Sequence, residues 1–85
     1  MNWTVLWRTL AENQLATLWT TAPDPNAITD AADRVDLLLQ RDPLGQGESR
    51  KEESLRILVE PPLVVDYEVD QQNRAVYVLR VRRTS

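Results

Sequence analysis

Three runs in the second half of the chain decide how it folds: Leu55-Arg56-Ile57-Leu58-Val59-Glu60, Leu63-Val64-Val65-Asp66-Tyr67-Glu68-Val69 and Ala75-Val76-Tyr77-Val78-Leu79-Arg80-Val81-Arg82. All are rich in β-branched and aromatic side chains, and the first alternates with period two, as a half-buried strand does. Strands are therefore expected over 54–60, 63–69 and 75–82. Leu55, Ile57 and Val59 share one face of the first. Pro61-Pro62 makes the first connection and Asp70-Gln71-Gln72-Asn73-Arg74 the second. Connections this short join antiparallel neighbours. The third run is apolar on both faces from Ala75 to Leu79, the pattern of a central strand with helices over one side.

Working back toward the N-terminus, residues 3–7 (Trp-Thr-Val-Leu-Trp) read as one more strand. Thr9 stands three residues before Glu12, the spacing of a capping box that would open a helix. Leu15, Leu18, Trp19 and Ala22 then recur at helical spacing until Pro23. Asp24-Pro25 is a second start signal, an N-cap with proline at the first helical position. Ile28, Ala31, Ala32, Val35, Leu38 and Leu39 form the apolar stripe of that second helix, which Asp42-Pro43 stops. The polar stretch 42–53, holding Gly45 and Gly47, reads as a loop. The order is β-α-α-β-β-β: an α+β domain over 1–85 in which a helix hairpin packs on a mostly antiparallel four-stranded sheet. The first strand joins an edge of that sheet, and the pattern leaves open which partner it takes.

Composition narrows the chemistry. The 85 residues are 42% hydrophobic and 27% charged, the balance of a globular domain. Cysteine and histidine are both absent. That removes disulfides, thiolate metal sites and every Ser-His or Cys-His nucleophile. No apolar run approaches the ~20 residues that span a bilayer and no signal-peptide pattern opens the chain, so a cytoplasmic protein without a membrane partner is expected. The net charge is −3, unlike a dedicated nucleic-acid binder. Yet nine of the ten basic residues are arginine, and Arg80, Arg82 and Arg83 close the chain. Arginine's planar fork suits phosphate or carboxylate. Asp30, Asp33 and Asp36 sit at helical spacing, where carboxylates usually decorate a solvated face, so no metal or other cofactor is expected. Gly45-Gln46-Gly47 is too short for a phosphate-cradling loop.

The element order and three stretches together resemble the RelE/ParE superfamily of toxins from type II toxin–antitoxin systems. One stretch is Val35 to Pro43 with the loop Gly47-Glu48-Ser49-Arg50; another is Leu55-Arg56-Ile57-Leu58 running into Pro62-Leu63-Val64-Val65 and Tyr67-Glu68-Val69. The third is Val76-Tyr77-Val78-Leu79-Arg80-Val81-Arg82. The resemblance spans nearly the whole chain. It implies a cognate antitoxin as partner, one that lays a helix or strand across the toxin. It also implies one of two activities. Either messenger RNA is cut, usually within the ribosome, by attack of a 2′-hydroxyl on its own phosphate, or DNA gyrase is poisoned without nuclease function.

For RNA cleavage, the resemblance points to Arg56, Arg80 and Arg82 as phosphate contacts on one concave face, with Glu48 as base. Arg50, Lys51 and Arg83 would grip backbone phosphates. Each residue also has a plainer use. Arg80 and Arg82 could pair with Asp66 and Glu68 across neighbouring strands, a contribution of roughly 0.2–1 kcal/mol per pair. A lone loop glutamate is usually solvated. Tyr67 and Tyr77 could stack on a base or pack a core edge, and Trp3, Trp7 and Trp19 suit core packing. Nuclease members commonly carry a histidine or tyrosine near the C-terminus, whereas this chain ends Arg82-Arg83-Thr84-Ser85. That departure leaves room for gyrase as the target, or for a fold relative that only binds a partner.

Overall fold

A computed structural model describes residues 2–46, 48–49 and 55–84, with Glu48 and Ser49 described by their backbone alone. The order is β1 (Thr4–Trp7), α1 (Thr9–Thr21), α2 (Pro25–Arg41), β2 (Glu48–Ser49), β3 (Leu55–Glu60), β4 (Leu63–Asp70) and β5 (Ala75–Arg83). The strands form one sheet in the order β1-β5-β4-β3-β2. β3, β4 and β5 form an antiparallel meander, while β1 pairs parallel to β5 at the outer edge, with Thr4 opposite Ala75 and Trp7 opposite Val78. β2 is a two-residue extension on β3 within the stretch expected to be loop. β5 is thus flanked on both sides, which is why its first residues are apolar throughout.

The helix hairpin covers one face. Ile28, Ala31, Ala32, Val35 and Leu39 of α2 are buried there with Ala11 of α1. They meet Leu58 of β3, Leu63, Val65, Tyr67 and Val69 of β4, and Val76, Val78 and Val81 of β5. Each fully buried Val or Leu contributes roughly 1.5–3 kcal/mol of transfer free energy. The alternating residues Leu55, Ile57 and Val59 lie on the other side: Val59 is 56% exposed, while Leu58 between them enters the core. Parity was readable in β3, but not which parity the helices cover.

α2 begins as its sequence signals: Pro25 opens it and the Asp24 carboxylate accepts from the Asn26 N–H at 3.1 Å. α1 does not form the expected capping box. Thr9 is already helical, and the cap position falls on Arg8, whose side chain makes no capping hydrogen bond. The reason is the junction's length. Arg8 donates its N–H to Val78 O at 2.9 Å as a last rung of the sheet, and its own carbonyl accepts from the Glu12 N–H. Strand and helix share that one residue. An exposed ion pair, Arg34 Nε to Glu60 Oε1 at 2.7 Å, with Arg34 also donating to Pro61 O, ties α2 to the β3–β4 turn. The β4–β5 turn is held by Asp70, whose carboxylate accepts from the Asn73 backbone and side chain and is kept below the usual carboxylate range by those bonds.

Candidate functional site

Residues directly opposite in adjacent strands share a face of the sheet, so the register sorts the arginines. Arg56 lies opposite Tyr67, Arg80 opposite Asp66 and Arg82 opposite Val64. Tyr67 and Asp66 are consecutive and point to opposite faces. Arg56 is therefore on the helix side, whereas Arg80 and Arg82 are on the uncovered side. In addition, β4 separates β3 from β5. The three guanidinium groups do not line one concave face.

Arg56 belongs instead to a buried polar knot. Its Nε donates to Gln46 O at 3.0 Å. The Tyr67 hydroxyl lies 2.7 Å from both Pro43 O and Gln46 O, so one proton is shared between two carbonyls. Tyr67 is fully buried. Burial pushes its phenol above the ordinary range, with the Arg56 guanidinium pulling back down. The knot straps the 42–46 turn to the sheet. Gly45 completes that turn: its N–H donates to Asp42 Oδ1, and a Cβ there would collide with the same carboxylate.

A prediction follows for Tyr67→Phe. It keeps the ring but takes the hydroxyl donor from the buried Pro43 carbonyl, while Gln46 O keeps the Arg56 donor, at a cost of about 1–3 kcal/mol by chemical denaturation. Because the folded pKa is raised, the phenol's contribution is complete below its unfolded value near 10 and fades as pH climbs through the folded value. Wild type should lose stability more steeply than Tyr67→Phe above about pH 10.

The uncovered face gathers a different set. Asp66 pairs with Arg80 and Tyr67 with Val78, so Leu79 is an extra residue, a bulge in β5. The bulge reverses the alternation. It lets Val78 and Val81 both enter the core, and it sets Tyr77, Arg80 and Arg82 on the same open side. Arg8, singled out by no motif, joins them: its guanidinium carbon lies 4.5 Å from the Tyr77 ring centroid. Among the described residues, no carboxylate comes within 4.0 Å of Arg8, Arg80 or Arg82. The register places Asp66 opposite Arg80 but Tyr77 opposite Glu68, so the plain charge pairing is half matched in position and closed at neither place. Asp66 Oδ1 is shielded from solvent with no donor among the described residues.

The remaining candidates scatter. Arg83 lies opposite Leu63, on the helix side, and with Arg82 it borders a shallow cleft beside Asn13 and Gln14 of α1. The backbone of Glu48 pairs with Ile57, and its side chain lies outside the described residues, as do Arg50 and Lys51. No group of three or more metal-ligating side chains comes together among the described residues, and none of their helices is long and apolar enough to cross a membrane.

A second feature lies where α1, α2 and β1 meet. A groove of about 760 Å³ is floored by Val5, Trp7, Leu15, Ala16, Ile28 and Ala32, and rimmed by Glu12, Asp33 and Asp36. Trp7 Nε1 donates to Asp36 Oδ1 at 2.7 Å across it. Trp3 and Trp7 pack against the core as expected. Trp19 does not: it is 49% exposed and stands in the groove wall. The groove runs beside β1, whose outer edge pairs with no strand among the described residues.

No protein-family model and no curated protein matches this sequence. Solved structures do. A chain of the toxin–antitoxin complex RelBE2 from Mycobacterium tuberculosis superposes with a TM-score of 0.81 at 24% identity, over 98% of this chain and 92% of that one. A chain of the chromosomal ParDE system from P. aeruginosa gives 0.76 at 20% identity, over 98% and 97%. The conserved hypothetical protein HP0894 from Helicobacter pylori gives 0.68 at 14%, over 96% and 94%. At these identities the likeness is one of fold, and the chain has the RelE/ParE-like α+β fold.

Proposed function

We propose, from that fold, that this chain is the toxin of a type II toxin–antitoxin system, and that it inhibits translation by cutting messenger RNA on the ribosome. The observation that carries the RNA reading is the open face, where Arg8, Arg80 and Arg82 share a side with Tyr77 and have no carboxylate within ion-pair distance among the described residues. In cleavage, the 2′-oxygen gives up its proton and forms a bond to the adjacent phosphorus, and the bond to the 5′-oxygen breaks, that oxygen leaving with the electron pair and taking a proton from water. Charge builds on the non-bridging oxygens in between. Fixed guanidinium donors beside that phosphorus stabilise it. Arg80 and Arg82 take this role; Glu48, the base that the resemblance implies, stands on β2 with β3 and β4 between its strand and theirs, so the 2′-hydroxyl proton passes to solvent at this site.

The gyrase-directed reading has one observation in its favour. Arg56 is committed to Gln46 and Tyr67 on the covered side, so one member of the expected cleavage set is spent on structure. Induced expression separates the readings. Arrest with discrete cuts in cellular mRNA supports the nuclease. Arrest with relaxed plasmid and intact mRNA supports gyrase. Normal growth with folded protein contradicts both and leaves a binding-only relative.

The cognate antitoxin belongs in the groove between α1, α2 and β1. Its apolar floor suits an amphipathic segment, the acidic rim of Glu12, Asp33 and Asp36 suits lysine or arginine on that segment, and the edge of β1, unpaired among the described residues, offers backbone donors and acceptors. Half-exposed Trp19 has the character of a binding hot spot. Trp19→Ala is expected to weaken antitoxin binding by about 2 kcal/mol, roughly 30-fold, while leaving toxicity intact. Titration calorimetry with the protein from the adjoining reading frame checks it.

A further inference from the structure

We propose that Arg8 is a phosphate-binding residue for single-stranded RNA on the open face, and that Tyr77 serves as the platform holding it. The inference rests on reading that face as the RNA-contacting surface. Arg8 is fixed at its backbone by the bond from its N–H to Val78 O, immediately beside the β5 bulge. From there its guanidinium reaches over the Tyr77 ring, 4.5 Å from the centroid.

The bulge makes this arrangement possible. Tyr77 and Arg80 are three positions apart and in an unbroken strand would face opposite ways. With Leu79 extra, the ring and both arginines share one side, and Arg8 enters that row from the neighbouring strand. A guanidinium lying on an aromatic face keeps its N–H edges free to donate, and the contact restricts the long side chain before any ligand arrives. No carboxylate among the described residues competes for Arg8 within ion-pair distance. Glu68 and Asp66, opposite Tyr77 and Arg80, bound the row on the β4 side. Tyr77 therefore acts on RNA through Arg8 and is a positioning residue.

The test is the binding of a fluorescent oligouridine, titrated at a series of salt concentrations. Each phosphate contact on a single strand contributes about −0.7 to the slope of log affinity against log salt. Arg8→Ala should weaken binding several-fold at low salt and make the slope shallower by about 0.7. Tyr77→Phe, which keeps the ring, should bind as wild type. Tyr77→Leu should weaken binding, and adding it to Arg8→Ala should cost little more, since the ring then has nothing to hold. An Arg8→Ala protein with wild-type affinity and slope overturns the inference while the RNA reading stands. A wild-type protein whose binding ignores salt overturns that reading, and this inference with it.

Discussion

Arg80→Ala and Arg82→Ala together are expected to abolish growth arrest while the protein stays folded. Both side chains are exposed and neither touches the core, so the change is nearly neutral for stability. In the proposed cleavage their loss would fall on the transition state, because guanidinium donors aimed at a phosphorane act where charge develops. Removal of one such donor costs about 100- to 1000-fold in rate. The pair acts on one phosphate region and need not be additive, so a fall of at least about 100-fold in cleavage is expected, with the thermal unfolding curve superimposable on wild type. Undiminished toxicity in the double variant would remove the open face from the mechanism.

Leu39→Ala should have the largest effect on the fold. Leu39 is fully buried on α2 among residues from the sheet and the other helix. Its truncation removes transfer free energy and leaves a cavity, at a cost of about 2–5 kcal/mol. A domain of this size commonly has only about 5–15 kcal/mol in total. The melting temperature should fall by upwards of about 10 °C, and toxicity should fall with the folded population. A change of less than 1 kcal/mol would mean that the helix stripe is not seated as described.

The helices were legible because their periodic stripes are local, as is the cap of α2, although the capping box expected at Thr9 does not form. Ile28 through Leu39 marks the covered face of α2, and Asp24-Pro25 marks its start, with no reference to the rest of the chain. Four of the five described strands were legible for the same reason, to within a residue at each end, whereas β2 falls in the stretch read as loop. What depended on contacts distant in sequence was not. Nothing in the run Ala75 to Leu79, apolar at every position, announces a bulge at Leu79, yet that bulge decides which way Arg80 and Arg82 face. Arg56 looked equivalent to them. Its side was set by pairing with Tyr67, whose hydroxyl is consumed by a turn more than twenty positions earlier. Arg8 had no motif at all. Its place on Tyr77 follows from the parallel pairing of β1 with β5, and the sequence offered no means of choosing that partner. Trp19 read as core because it falls on the α1 stripe, but the groove leaves it half open.

The most direct test of the proposed activity is primer extension on a defined mRNA incubated with ribosomes and the purified protein, with and without antitoxin. Discrete, ribosome-dependent stops that vanish with antitoxin and with the Arg80→Ala/Arg82→Ala protein are the expected result. Intact mRNA, at a protein concentration that arrests growth when produced in cells, would contradict it.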